Sequence, residues 1–444
     1  MLFRLTVVAA ALSASGLAFA AVANKYDVVE LPTLCDPANP TKCGAFSFAY
    51  GINNAGTIVG TSNGPLVPDT GDIDGDGNVT EEIRDYVYHA FSLQSGTMAD
   101  LGHLGKDESY AVSVNGAGEI VGRGNKVTAV DGTTETVQIR AFRIPVGGSM
   151  TDLGVPVQTV GLVSATDVSD DGYVVGYATA QAISGDTAYY TRGFVFTPGG
   201  GLTLIPALQD KTGSVLRAVN GAAGRAVGFS VKDGVSRAIQ LELNTPNTLL
   251  DLQTLGGTSA EANDINALRQ VVGRSYTTGN SKIEAFLYDE STTPVMRGLG
   301  QLGETFRFSQ ANAINSAGDI VGTAQASSGP TIYHATVFAS ATSSAKLVDL
   351  NLRIDCEASP STRWTLTEAV GINDSGQIIG YGTRGTNVRA FLLTPNPNVD
   401  SIPTPCSPAE PEFENQSGGG VFAALFLPIL LLVRTRRRTR RVVK

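Results

Sequence analysis

Seven copies of one short pattern constrain this chain more tightly than any other feature. Each copy reads apolar residue, Asn, two small or polar residues, Gly, any residue, a mostly β-branched pair, Gly. The first is Ile52-Asn53-Asn54-Ala55-Gly56-Thr57-Ile58-Val59-Gly60. The others occupy 114–122, 168–176, 219–228, 265–273, 314–322 and 372–380, with closing glycines 45 to 62 residues apart. Self-similarity at such a period marks a repeat architecture, in which no unit buries its apolar face alone. Asn at the first turn position and Gly at the fourth suit a type I turn, where Asn caps the backbone with its own side chain. The flanking residues supply strands, so each copy predicts a β-hairpin. Three copies depart: Ser169 replaces Asn, the fourth copy is one residue longer, and Arg269 replaces Gly.

A third strand follows each hairpin, opening on His, Arg or Glu, then a small residue, then usually Phe. Examples are His89-Ala90-Phe91, Arg140-Ala141-Phe142 and Arg389-Ala390-Phe391. A fourth element, such as Asp100-Leu101-Gly102, recurs only six times after the third strand. The seventh copy stands at the front of the chain, where Tyr26-Asp27-Val28-Val29-Glu30-Leu31 precedes the first hairpin. Four strands per unit, seven units and a displaced strand to close the ring predict an all-β, seven-bladed β-propeller over 26–394. The N-terminal strand would complete the last blade and remove two free sheet edges. A β-solenoid is the alternative, though its coils repeat over fewer residues.

The two ends read differently. Arg4 begins a positive n-region, residues 5–17 are apolar or small, and Ala18-Phe19-Ala20 offers a signal-peptidase site, so 1–20 reads as a signal peptide. Residues 395–417 form a Pro- and Glu-containing linker. Gly418, Gly419 and Gly420 lead into thirteen uncharged residues, 421–433, followed by six arginines and Lys444. Thirteen helical residues span about 20 Å, which snorkelling arginines extend toward the hydrocarbon thickness. The arginines favour a cytoplasmic side, placing the repeats outside. Removing both ends leaves 24 basic residues against 41 acidic, a net charge near −17. That argues against a polyanionic partner such as nucleic acid and for solubility outside the cell.

The tail from Gly418 to Lys444 resembles the GlyGly-CTERM sorting signal of Gram-negative bacteria. The resemblance implies cleavage near Gly418–Gly420 by a rhomboid-type protease, then release or attachment at the cell surface. The body resembles the HAF-repeat family of bacterial extracellular proteins, through His89-Ala90-Phe91, the Asn-x-x-Gly-x-Ile-Val-Gly copies and Leu101-Gly102-His103-Leu104-Gly105. That resemblance implies fold and location, not activity.

Four cysteines, Cys35, Cys43, Cys356 and Cys406, suggest two disulfides in an exported chain, with three possible pairings. Cys35 with Cys43 would close a short loop and leave Cys356 with Cys406. Asp72, Asp74, Asp76, Asn78 and Glu82 match a calcium loop, with Gly77 at the sharp bend; Glu82 stands one place before the usual last ligand. Any such calcium is structural. Gly60-Thr61-Ser62-Asn63-Gly64 satisfies a hydrolase pattern, but Gly60 is the repeat's closing glycine and no helix follows. His89 and His334 occupy a repeat position and read as packing or hydrogen-bonding groups. Trp364 reads as a partly buried aromatic.

The expectation is therefore a non-enzymatic binding scaffold for an extracellular protein or glycan. Its blade-to-blade individuality is expected in the insertions after Gly60, Gly122, Gly176 and Ile354. A secreted glycan-active enzyme of propeller fold is the alternative, distinguished by carboxylates at one end of the channel.

Overall fold

A computed structural model describes residues 22–36, 39–43, 46–63, 88–131, 134–157, 159–181, 188–293, 295–338, 347–357, 359–399 and 401–404. The chain divides into one unit, Met1–Pro405, and a second, Cys406–Lys444, which lies outside the described residues. The first unit is a seven-bladed β-propeller of seven four-stranded antiparallel sheets. The ring closes, which a solenoid does not do. The innermost strands are Ser47–Ile52, Lys106–Val114, Thr159–Val168, Ser214–Asn220, Gly256–Ile265, Ser309–Ile314 and Trp364–Ile372. Each touches the innermost strand of the next blade, and the seventh touches the first. We number blades 1 to 7 in that order.

The strand Tyr26–Glu30 pairs antiparallel with Asn387–Pro395 and becomes the outer strand of blade 7. Glu30 stands opposite Phe391, as Asp100 stands opposite Phe91 in blade 1. Even the side-chain chemistry is carried over. His89 Nδ1 lies 2.8 Å from Asp100 in blade 1 and His334 Nδ1 lies 2.6 Å from Asp349 in blade 6, while Arg389 reaches Glu30 at 2.7 Å in blade 7. The two repeat histidines are thus intra-blade hydrogen-bonding groups, as expected.

Five of the six repeat asparagines do two jobs. The Oδ1 of each accepts from its own turn, as Asn53 does from Ala55 N–H (3.1 Å) and Thr57 N–H (2.9 Å). The Nδ2 donates to the carbonyl of the equivalent residue one blade on. The bonds run Asn53 to Asn115 (2.9 Å), Asn115 to Ser169 (3.0 Å), Asn266 to Asn315 (3.1 Å), Asn315 to Asn373 (3.2 Å) and Asn373 back to Asn53 (3.1 Å). These asparagines are almost wholly buried, so a lost bond is not replaced by water.

The closing glycine has an equally specific cause. Every innermost strand carries a bulge, for example between Ala49 and Gly51 and between Ala111 and Ser113. The bulge swings the preceding carbonyl over the neighbouring strand. A Cβ on Gly60 would lie 1.9 Å from Phe48 O, and one on Gly122 would lie 2.0 Å from Tyr110 O. The third-strand Phe lies directly opposite this glycine, Phe91 against Gly60 and Phe142 against Gly122, and fills the space. Phe91, Phe142, Phe194, Phe286 and Phe391 are fully buried, and each contributes about 2–3 kcal/mol of apolar burial. Among the described residues there is no α-helix, and no helix is long and apolar enough to cross a membrane.

Two stability outcomes follow, each read by denaturant unfolding. Asn315→Ala removes the turn cap and the bond to blade 7, and lowers stability by about 2–3 kcal/mol. Arg269 holds the left-handed backbone (φ 63°) that glycine adopts at the equivalent turn position of the other six copies. Arg269→Gly therefore raises stability by about 1 kcal/mol; a loss would mean that the arginine side chain outweighs its backbone strain.

Candidate functional site

The bulge leaves one cross-strand pair per blade beside the closing glycine, and this pair does not repeat. It is Phe48 with Thr61, Tyr110 with Arg123, Ser164 with Tyr177, Val215 with Phe229, Glu261 with Arg274, Gln310 with Thr323 and Glu368 with Tyr381. Being on or next to the innermost strands, these pairs ring the propeller axis. The individuality expected only in the insertions is present here as well. The insertion after Gly122 is itself regular, a long two-stranded extension of Ile120–Asp131 and Thr134–Ile144.

The ring has two unlike arcs. From Arg217 in the blade 4 bulge through the pairs of blades 5 to 7, with the bulge residues Asn263 and Asn312, it is polar and continuous. Arg217 donates to Asn263 Oδ1 and, at 2.7 Å, to Glu261; Arg274 donates to the same Glu261 oxygen at 2.9 Å and to Gln310 at 3.1 Å. Gln310 donates to Asn312 (2.6 Å), Asn312 to Glu368 (2.9 Å), and the Tyr381 hydroxyl to the other Glu368 oxygen. Across blades 7, 1 and 2 the arc is aromatic. Tyr381 meets Phe48 edge-on at 6.0 Å, Phe48 meets Phe46 at 5.8 Å, and Phe46 meets Tyr88 at 5.8 Å. Tyr88 stacks on Tyr110 at 5.8 Å with 22° between planes, and the Arg123 guanidinium lies 4.8 Å from the Tyr110 ring centre.

Burial and partners set the protonation states. Burial pushes Glu261 up, but Arg217 and Arg274 together outweigh it and hold its carboxyl below the usual range. Burial also raises Glu368, despite its bonds to Tyr381 and Asn312. Burial pushes the Tyr50 phenol up to about 12, so it stays neutral at physiological pH.

Two more carboxyls share one repeat position, two residues before the repeat Asn or its replacement. Burial pushes Asp167 up to about 6 and Asp264 up to about 7, and the charge on Asp167 raises Asp264 further. Both serve as inter-blade ties. Asp167 accepts from Ser113 Oγ (2.6 Å) in blade 2 and from Val219 N–H (2.8 Å) in blade 4. Asp264 accepts from Ile314 N–H (2.8 Å) in blade 6.

Several sequence candidates fall elsewhere. Asp72, Asp74, Asp76, Asn78 and Glu82 lie outside the described residues, as do Ala20, Gly418, Gly419, Gly420 and Cys406. Among the described residues, no group of three or more His, Cys, Asp or Glu stands ready for a metal. Cys35 and Cys356 are disulfide-bonded. In the small hairpin Cys35–Asp36 and Asn39–Cys43, the ladder places Cys35 opposite Cys43. Ser62 is fully buried, accepting from Leu34 N–H (3.0 Å) and donating to Phe46 O (3.2 Å); it is a structural serine. Trp364 is buried edge-on against Phe391 at 6.0 Å.

The chain matches no protein-family model and no curated protein. It is similar in fold to solved propellers. One is an oligogalacturonate lyase in complex with manganese, at 13% identity and TM-score 0.44, covering 84% of this chain and 98% of that one. Another is an oligogalacturonate lyase from Vibrio parahaemolyticus, at 11% identity and TM-score 0.44, covering 83% and 98%. A third is a gluconolactonase from Xanthomonas campestris, at 10% identity and TM-score 0.35, covering 84% and 96%.

Asp167 offers a clean test of the buried carboxyls. A carboxyl whose native pKa lies above its unfolded value binds its proton more tightly in the folded chain. Its contribution to stability is complete below the unfolded value near 3.8 and is lost as pH rises through about 6. Asn at this position keeps both contacts, with Oδ1 toward Val219 N–H and Nδ2 toward Ser113. Asp167→Asn is therefore near neutral at pH 4 and stabilising by about 1–3 kcal/mol above pH 6. Thermal unfolding across that range reads it; a pH-independent effect would contradict the buried-carboxyl assignment.

Proposed function

We propose that this protein is exported, trimmed at both ends, and used as a non-enzymatic binding scaffold at or beyond the surface of a Gram-negative cell. Its ligand is taken at the end of the channel where the aromatic and polar arcs meet. The observation that carries binding over catalysis is the commitment of the axial carboxylates. Glu261 is held by two arginines, Glu368 by Tyr381 and Asn312, and Asp167 and Asp264 by backbone N–H groups of the next blade. A general acid or nucleophile needs a carboxyl facing substrate with its lone pairs free.

The signal at 1–20, the tail at 418–444 and the acidic body support export, and the HAF-like and GlyGly-CTERM-like features support the surface as destination. Signal peptidase and a rhomboid-type protease are the processing partners, and the membrane holds the tail until it is cut. Disulfide bonds at Cys35 and Cys356 suit an oxidising compartment. The alternative, a secreted glycan-active enzyme, draws on Asp167 and Asp264, whose pKa values near neutrality suit proton transfer. New reducing ends released from a polysaccharide, and abolished by Asp167→Asn, would favour the enzyme.

Two measurements test the reading. Intact mass, under non-reducing conditions, of protein recovered from cell surface and medium is expected to lack residues 1–20 and everything beyond the glycines near 418. A mass that keeps the arginine tail would overturn surface release and indicate a membrane-anchored protein facing the periplasm. We also assign the loop bearing Asp72, Asp74, Asp76, Asn78 and Glu82 to structural calcium. Limited proteolysis within 72–82 is then slowed by calcium, and equal cleavage with calcium and with chelator rejects the site.

A further inference from the structure

We infer that the aromatic arc on blades 7, 1 and 2 is a platform for a saccharide, and that Arg123 selects one carrying a carboxylate. This rests on the channel-binding reading above and narrows its ligand to an acidic sugar chain.

The geometry has three parts. The first is an aromatic surface at one end of the propeller. The repeat turns hold one end of the innermost strands. Phe46, just before the blade 1 strand, and Tyr88, which opens the third strand of that blade, therefore mark the opposite end. There Tyr88 and Tyr110 stack with 22° between planes, and Phe46 packs against Tyr88. All three are only half-buried. Rings with one apolar face and one hydroxyl tip match a pyranose, which presents C–H groups on its faces and hydroxyls at its rim.

The second part is an arginine without an anion. Arg217 and Arg274 share Glu261, so their charge is answered within the ring. Arg123 sits over Tyr110 instead, and among the described residues its side chain makes no ion pair and no hydrogen bond. Glu108, on the same blade, bonds to Asn125. A half-buried guanidinium with unused donors favours a ligand carboxylate, which it can meet with two parallel bonds.

The third part is position. The polar arc, with Glu368, Asn312 and Gln310, continues from the aromatic one through Tyr381. A sugar seated against the exposed parts of Tyr88 and Tyr110 has Arg123 beside it, with the polar arc further round the ring. An apolar ligand would leave that arc unused, and a simple anion would leave the aromatic arc unused.

The test uses protein recovered from producing cells and two probes that differ only in the carboxylate. These are a β-1,4-linked glucose hexamer and its counterpart oxidised at C6 to glucuronate. Calorimetric titration is expected to show the acidic hexamer binding about tenfold more tightly than the neutral one, the scale of one charge-assisted contact. Arg123→Gln abolishes the difference, while Tyr88→Ala weakens both, with unfolding temperature checked for each variant. Equal binding of the two probes, or a preference that survives Arg123→Gln, overturns the acidic selectivity. No binding of either probe overturns the saccharide assignment altogether. The mass measurement above is independent of this titration, so the export reading and the ligand assignment fail separately.

Discussion

The propeller depends on a buried asparagine that serves its own turn and its neighbour's carbonyl at once. A type I turn alone is satisfied by several residues, as Ser169 shows in blade 3. Only Asn offers both an acceptor for the turn and a donor that reaches the next blade. Repeated around the axis, the side chains form a ring of hydrogen bonds broken at two of its seven steps, from blade 3 to 4 and from 4 to 5. At the first break, Asp167 reaches Val219 N–H. At the second, Arg217 of blade 4 crosses to Glu261 and Asn263 of blade 5. The polar arc thus begins where the asparagine ring stops, and its first ion pair has a mechanical duty as well as a chemical one.

A second constraint explains why the axis was free to diversify. The bulge and the glycine beneath its carbonyl form one steric unit in every blade, covered by phenylalanine in five blades and by Ile239 and Thr336 in the other two. The residue pair beside this unit carries no such burden. Blade 2 uses it for Tyr110 and Arg123, blade 5 for Glu261 and Arg274, and blade 7 for Glu368 and Tyr381. A rigid repeat that leaves one position per unit unconstrained is a natural frame for a site.

The architecture was legible because its causes are local and recur. Asn, Gly and Phe at fixed offsets report the turn, the bulge and the blade core, and the displaced strand at Tyr26–Glu30 follows from counting fourth strands. The channel site was hidden by the same regularity. Its residues stand at positions that look arbitrary when the copies are aligned on what they share, such as Arg123, Arg274 and Tyr381 just after a closing glycine. The signal is variability next to invariance, and it is outweighed in the sequence by the larger differences of the insertions. Which side chains meet across the axis also depends on the bulge, and the residue it displaces has no compositional mark. Asp167 and Asp264 were missed for a related reason. A carboxyl two residues before the repeat Asn looks solvated in sequence, whereas the ring buries it.

The strand Tyr26–Glu30 gives the molecule a clock. It is the first part of the propeller to be synthesised, yet the sheet that receives it is the last. Until blade 7 is made the leading strand lacks its sheet, and just before closure it and the strand Asn387–Pro395 are unpaired edges at opposite ends of a nearly finished ring. Closure is thus one late event that joins the extremes of the chain, and it comes only after the other six blades have been made. A chain cut short anywhere before blade 7 leaves its leading strand unclaimed, so partial products are distinguishable from the finished protein by an exposed edge that a protease or chaperone can find.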